Sequence, residues 1–318
     1  MRVIEVTAFG DPEVLRVRQA TDPVPGPDQV LIAVDVVEVI FLDTQLRAGW
    51  GQGFFPMRPP WIPGTGVAGT IHAVGEGVDS GRVGARVVAR TGNEGAYAEQ
   101  VVVGSDEATD VPEGLSLPLA TAALHDAPLA LDRLERAALG PGSRVLVTAA
   151  AGSLGQWFVP LAKAAGAYVV GAAGGAAKVQ AVKEQGADLG VDYRDERWAQ
   201  LAGGPFDIVF DGIGGQIGSD ALRLTADGGM FFGHGSASGD FVANSVDGRA
   251  ITRVGVDVPL DEADWRRHTV SALHLLAEGQ VRPVIGQQVP FARAAEAHRA
   301  IADRTVIGKT VLTLRTPR

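Results

Sequence analysis

The pattern of apolar and polar residues along the chain falls into two rhythms. As far as Leu117, short Val-rich runs at 14–20, 30–37, 66–75, 86–90 and 97–103 are punctuated by Gly, Pro and Asp. Runs of that length and spacing predict the strands of a compact barrel or sandwich. The opening MRVIEVTAFG alternates apolar and polar residues and predicts another strand. The stretch LPLATAALHDAPLALDRLERAAL has helical spacing, with a break expected at Pro128. From Ser143 onward strands (144–149, 167–172, 189–192, 206–211, 229–233) alternate with helices (near 153–165, 175–185, 195–202, 216–224). Such alternation predicts an α/β unit built on a doubly wound parallel sheet. A further strand is expected over 250–258 and a helix over 262–278, and β character returns at 287–291 and 308–314.

The most informative stretch is VLVTAAAGSLGQWFVPLAKAAGAYVVGAA, Val145 to Ala173. It reads as strand, glycine turn, helix, strand. A dinucleotide-binding turn wants glycine at 150, 152 and 155, and the first of these is Ala150. Gly152 stands where backbone N–H groups approach a pyrophosphate, and Gly155 where helix and sheet pack closely. The first position only tightens the turn, so alanine is the mildest replacement there. A pyrophosphate is expected on the helix N-terminus, near Ser153 and Leu154. The alternative is a glycine turn used for packing alone. Pro160, inside the same helix, removes a backbone bond and predicts a kink.

Composition narrows the function classes. A length of 318 residues suggests two domains, and 46% apolar residues supply a sizeable core. The net charge of −9, without a basic block, argues against nucleic acid as partner. The absence of cysteine removes disulfides, a thiolate nucleophile and cysteine-ligated zinc, and fits a cytoplasmic location. The N-terminus lacks the apolar core of a signal peptide, and no uncharged apolar run is long enough to cross a bilayer.

An NAD-selective site usually ends its second strand with Asp or Glu, which holds the ribose hydroxyls. From Ala167 to Lys183 this chain has no acid, and GAAGGAAK ends instead in Lys178. A lysine one turn into a helix can pair with a 2′-phosphate, so NADPH is the expected cofactor; the alternative is a solvated helix lysine.

With these residues in view, the chain resembles the zinc-independent quinone oxidoreductases (zeta-crystallin-like) of the medium-chain dehydrogenase/reductase superfamily. The segments VIFLDTQLRAG (39–49), PGTGVAGTIHAVGEGV (63–78), GAYAEQVVV (95–103), FDIVFDGIGG (206–215) and IGKTVLTL (307–314) follow the family's order. The resemblance implies a GroES-like β-barrel domain, 1–122 with 280–318, and a Rossmann domain, 123–279. It also implies NADPH as hydride donor and a homodimer. Lys178 and Tyr193 match the family's contacts to the 2′-phosphate and adenosine side. The expected cofactor set is Ala150, Gly152, Ser153, Leu154, Gly155, Gly171, Ala172, Lys178, Tyr193, Gly212, Ile213, Phe232, Gly233 and His234. Relatives that bind zinc carry Cys, His and Glu ligands. The position where they place Glu is Gly66 here, so no metal is expected.

The departures from the family gather at the nicotinamide end. Ile40 stands where Asn is common, Gln45 where Tyr is common, and Leu129-Ala130 matches a threonine–alanine pair. A drier pocket is expected, lined by Ile40, Trp50, Phe54, Trp61 and Leu129. The loop FFPMRPPWIPG (54–64), with four prolines, is either one wall of that pocket or a loop pinned to the barrel by its aromatics. Gln45 and His125 are the catalytic candidates, His125 as a proton donor to a reduced substrate. Its neighbour Asp126 points away on a helix and forms no dyad with it, and a structural His beside a helix-starting Asp is the alternative. His234, after the fifth strand, is a second proton-donor candidate. The expected activity is NADPH-dependent reduction of an apolar quinone or α,β-unsaturated carbonyl. The alternatives are a non-redox step on a specialised metabolite and a nucleotide-sensing binding protein.

Overall fold

The structure is a computed structural model that describes residues 1–92, 94–242 and 248–314. The chain forms two compact units, Met1–His125 with Arg266–Arg318, and Asp126–Trp265. The resemblance puts the domain boundaries near 122 and 280. Arg266, at the start of the first unit's second segment, pairs with Glu107 (2.7 Å) of the same unit.

In the first unit the strands are β1 (Arg2–Val6), β2 (Leu15–Gln19), β3 (Gln29–Val39), β4 (Gly66–Val74), β5 (Arg86–Arg90), β6 (Gln100–Gly104) and β7 (Thr109–Asp110). Helix α1 (Phe41–Ala48) follows β3 directly, and α2 (Leu117–Ala120) follows β7. The second unit opens with α3 (Asp126–Ala137). It continues as β8 (Arg144–Thr148), α4 (Gly155–Ala164), β9 (Tyr168–Ala173), α5 (Ala176–Glu184), β10 (Leu189–Asp192), α6 (Trp198–Ala202), β11 (Phe206–Asp211), α7 (Gly215–Arg223), β12 (Thr225–Gly233) and β13 (Thr252–Val254). After α8 (Glu262–Ala277) come β14 (Ile285–Pro290), α9 (Ala294–Ala302) and β15 (Lys309–Thr313).

The first unit's main sheet runs β14-β15-β3-β4-β5-β7, with β6 also paired to β3. Its core holds Ile4, Ile32, Val67, Tyr97 and Leu312. The second unit's sheet runs β10-β9-β8-β11-β12-β13, with every pairing parallel. Counted within the unit, that order is 3-2-1-4-5-6, and the order reverses between β8 and β11. Central β8 is an unbroken apolar run because both its faces are covered: Val145, Leu146 and Val147 are fully buried.

Three expectations need correction. The break in the interdomain stretch falls at Leu124–His125, and α3 runs through Pro128. Proline is tolerated there because its missing N–H lies in the first turn, which has no intrahelical acceptor. The strand expected over 250–258 is only Thr252–Val254. The chain turns at Gly255, with Val258 N–H donating to Gly255 O (3.4 Å) and Arg133 Nη2 to Val258 O (2.8 Å). Helix α1 was not anticipated. The Val-rich run before it hides a start where Ile40 N–H donates to Asp43 Oδ2 (2.9 Å).

Candidate functional site

The glycine turn sits between β8 and α4, beside the point where the strand order reverses. A Cβ on Gly155 would lie 2.4 Å from the carbonyl oxygen of Ala150, a backbone atom that cannot yield cheaply. This glycine lets α4 start against the strand. On Gly152 a Cβ would come only to 3.2 Å of Ala149 O, so the space above it is nearly free on the protein side. Ala150 itself is fully buried and donates its N–H to Ala172 O (3.1 Å). A Cβ on Gly171 would meet the Ala150 methyl at 3.1 Å and Val182 Cγ1 at 2.2 Å. The methyl that replaces the motif's first glycine is therefore accommodated by a glycine on the next strand. Ser153 and Leu154 lie half-buried in the turn, and Ala172 is buried in β9.

The ends of β8 and β11 are knit together by Asp211. Its Oδ1 accepts from Thr148 Oγ1 (2.6 Å) and Ile213 N–H (3.2 Å), and its Oδ2 from Gly214 N–H (3.0 Å). Thr148 Oγ1 in turn accepts from Gly212 N–H (3.1 Å). Burial raises the Asp211 carboxyl above its ordinary value, and these donors oppose the shift. Sequence reasoning singled out Gly212 and Ile213 but not the acid before them. Its signal was an Asp directly after the apolar run Ile208–Phe210 and before the Gly212 turn.

His234 follows β12. Its N–H donates to Asp211 O (2.9 Å), and its ring packs on Phe158, with centroids 5.2 Å apart. A Cβ on Gly212 would meet His234 Nε2 at 3.0 Å, so the imidazole reaches the β11 turn. Its Nδ1 is buried, and among the described residues no atom meets it in strict hydrogen-bond geometry, although the Phe232 backbone lies close enough to oppose the loss of its proton. Burial and then the Arg133 charge lower the ring to about 3, so it is neutral at pH 7 and a poor proton donor. Phe232 faces the core, fully buried against Phe210, so only its backbone and that of Gly233 border the turn.

At the end of β9, a Cβ on Gly174 would meet the Tyr193 hydroxyl at 2.9 Å, which places that phenol on the turn. Lys178 is half-buried on the first turn of α5. Two charged residues that sequence reasoning passed over also border this turn: Asp192 accepts from Gly175 N–H (3.0 Å), and Arg194 pairs with Asp192 (2.9 Å).

In the first unit Ile40 is buried at the start of α1, and Gln45 is half-buried on the same helix. Trp50 is half-buried just after the left-handed Gly49, whose φ is 92°. The two readings of the 54–64 loop each describe part of it. Trp61 is a core residue that bridges Val6, whereas Phe54 is 70% exposed. His125 is half-buried at the end of this unit, and Leu129 is half-buried on α3 of the other. Below α1 lies a buried polar cluster. Tyr97 Oη hydrogen-bonds His298 Nε2 (2.9 Å) and donates to Asp43 Oδ2 (3.4 Å). Burial raises Asp43 to about 7, against the Ile40 N–H and with help from the Glu38 charge. Burial, reinforced by Arg47, lowers His298 to about 3.

A GroES-like unit and, in the same chain, a 3-2-1-4-5-6 parallel sheet with a glycine-lined turn at its switch point define the medium-chain dehydrogenase/reductase architecture. Residues 26–113 match the alcohol dehydrogenase GroES-like domain, and 185–312 the zinc-binding dehydrogenase domain. A quinone oxidoreductase of Sus scrofa is 32% identical over 99% of this chain and 98% of that protein. A 2-haloacrylate reductase of a Burkholderia species is 29% identical over 91% of each. A mycobacterial protein solved in complex with NADPH superposes with a TM-score of 0.88 at 28% identity, covering 98% of this chain and 100% of that one. The chain belongs to the quinone oxidoreductase family.

Zinc is named in one of these domain descriptions, and the donors present do not suit it. The chain has no cysteine, and no group of three His, Asp or Glu side chains gathers among the described residues. The carboxylate beside Gly66, that of Glu38, is engaged by Lys309 Nζ at 2.7 Å. The glycine turn, by contrast, suits a dinucleotide, because Gly152 leaves open the space into which a side chain would project.

Proposed function

We propose that the protein is an NADPH-dependent reductase of apolar quinones or α,β-unsaturated carbonyl compounds. The observation that carries this reading is the backbone cradle at the β8–α4 turn, where Gly152 leaves room and Gly155 brings a helix N-terminus to the switch point. Ala150, Gly152, Ser153, Leu154 and Gly155 would hold the pyrophosphate. Gly171 and Ala172 would border the adenosine side, with Lys178 and Tyr193 at the 2′-phosphate. The backbone of Gly212, Ile213, Phe232 and Gly233, with His234, would line the route toward the nicotinamide. The cofactor, when bound, supplies a hydride, which with one proton turns an enone into a saturated ketone and with the same addition turns a quinone into a hydroquinone.

The chain's own contribution is positioning and exclusion of water. Ile40 presents an aliphatic side chain where the family commonly has an amide, and Leu129 adds another. Trp50 and the exposed Phe54 favour a bulky apolar acceptor. Neutral His234 suits the role of a hydrogen-bonding wall better than that of an acid, which leaves His125 or solvent as proton source and Gln45 as a polar contact. A cytoplasmic homodimer fits the family, with the edge strand β13 as the pairing element.

The test is NADPH oxidation across a panel of quinones and enones of graded size. Bulky apolar acceptors are expected to turn over slowly and small polar ones hardly at all. Ile40→Asn with Gln45→Tyr should raise turnover of generic quinones. Binding of NADPH with no oxidation by any acceptor, in both proteins, refutes the reductase reading.

A further inference from the structure

The sequence offers no acid at the end of the second strand of the nucleotide unit, but the folded chain brings one in from the third. Asp192 ends β10, in register with Ala173 at the end of β9. Its Oδ1 accepts from Gly175 N–H (3.0 Å), Arg194 N–H (3.0 Å) and Arg194 Nε (3.1 Å). Its Oδ2 accepts from Arg194 Nη2 (2.9 Å) and Nε (3.3 Å). Gly175, with φ of 97°, is the residue before α5, and a Cβ there would lie 2.6 Å from Arg194 Nη2. The guanidinium therefore lies against Gly175, the residue after the glycine that the Tyr193 hydroxyl approaches. Both members of the pair reach solvent, with side-chain exposures of 31% for Asp192 and 63% for Arg194.

We propose that Asp192 and Arg194 are the specificity-determining pair for the adenosine 2′ position, Arg194 favouring a 2′-phosphate and Asp192 opposing it while accepting from a 2′-hydroxyl. This rests on the nucleotide-binding reading above. An acid at this turn holds ribose hydroxyls as donors, the role usually filled from the second strand. It also sits as a resident anion at the N-terminus of α5, using the Gly175 N–H that a phosphate would otherwise draw on. An incoming 2′-phosphate finds Arg194 and Lys178 attractive and Asp192 repulsive. Discrimination between NADPH and NADH is then the difference between opposing charges, and it is shallow. Arg194 and the backbone donors hold the Asp192 carboxyl well below the usual carboxylate range, so the opposition persists across the working pH range.

The experiment is fluorescence titration of NADPH and NADH with the unmodified protein, Asp192→Asn and Arg194→Ala, each at low and high salt. Asparagine can still accept from Gly175 N–H, so the fold is kept, and melting of the nucleotide-free proteins verifies this. Asp192→Asn should tighten NADPH by roughly three- to tenfold and weaken NADH. Arg194→Ala should weaken NADPH by roughly three- to tenfold with NADH changed by less than about twofold. Arg194→Gln gives the same reading if the alanine variant does not fold. Added salt should shrink the NADPH effects, since the pair is exposed. Equal movement of both nucleotides in Asp192→Asn, or no selective loss of NADPH in the Arg194 variants, overturns the assignment. Failure of the unmodified protein to bind either nucleotide overturns the underlying reading as well.

Discussion

Gly155→Ala separates the packing role of the glycine turn from its ligand role. The added methyl would stand 2.4 Å from Ala150 O and 2.6 Å from the Ala150 carbonyl carbon and Cα. Ordinary contact for these pairs is about 3.4 Å or more, so about 1 Å of separation must be created. The opposing atoms are backbone of a fully buried residue tied to Ala172 O. On the other side α4 is anchored by buried Trp157 and Phe158. Overpacking of a rigid core costs about 1–3 kcal/mol, and backbone on both sides puts this case near the top of that range. A loss of about 3 kcal/mol corresponds to a fall in Tm of roughly 4–5 °C for a chain of this size. Gly152→Ala is the companion. Its methyl meets Ala149 O at 3.2 Å, a contact that a shift of a few tenths of an ångström relieves. It should leave Tm nearly unchanged yet weaken NADPH by tenfold or more, because the methyl enters the space expected for the pyrophosphate. The assay is thermal melting with and without saturating NADPH. If Gly155→Ala melts with the unmodified protein, α4 is not pressed against β8 as described. If Gly152→Ala keeps its NADPH-induced shift, the pyrophosphate lies elsewhere.

Lys178→Ala should remove most of the preference for NADPH over NADH in fluorescence titration; equal nucleotide affinities in the unmodified protein would defeat the argument. Asp43 is raised to about 7 from 3.8, so its ionised form penalises the fold. The penalty is absent below about pH 4, grows as pH rises to about 7, and then stays constant at up to about 4 kcal/mol. Asp43→Asn should accordingly gain more Tm relative to the unmodified protein at pH 8 than at pH 4.5, and a difference independent of pH would count against it. Lys309→Met strands the buried Glu38 carboxylate and should cost about 3–5 kcal/mol in urea unfolding, much of it recovered by adding Glu38→Gln; additive losses would show that the two are not coupled.

Periodicity made the parallel sheet legible because its strands are short, apolar and separated by helical spacing, and β8 through β12 lie close to where the pattern puts them. The glycine turn was legible because Gly152 and Gly155 have mechanical reasons to be glycine. Local pattern failed where tertiary contacts decide. Helix α1 is hidden behind a strand-like run and starts because Asp43 reaches back to Ile40. The last strand of the sheet is cut short by the turn at Gly255, which Arg133 braces from α3. The role of Trp61 was open from sequence, since an aromatic in a proline-rich loop serves a core or a pocket equally well. Its bridge to Val6 makes it core.

Two inferences from missing acids were sound about the chain and incomplete about the fold. Gly66 stands where the resemblance places the Glu of zinc-binding relatives, yet a Cβ there would lie 2.4 Å from Glu38 Oε1, a carboxylate delivered by the adjacent strand β3. That group accepts from Thr65 Oγ1 at 3.1 Å and is neutralised by Lys309. The end of β9 likewise lacks an acid, and Asp192 arrives from adjacent β10 to accept from Gly175 N–H. In both places the carboxylate comes from the neighbouring strand, because paired strands lie only about 4.8 Å apart and a side chain spans that gap easily. A residue's absence from a motif position therefore does not mean that its charge is absent from that place. The consequences differ with burial. Glu38 and Lys309 are each 1% exposed, so that pair is sealed into the barrel as a structural element. Asp192 and Arg194 stay in reach of solvent, where the same lateral supply of charge can bear on a ligand.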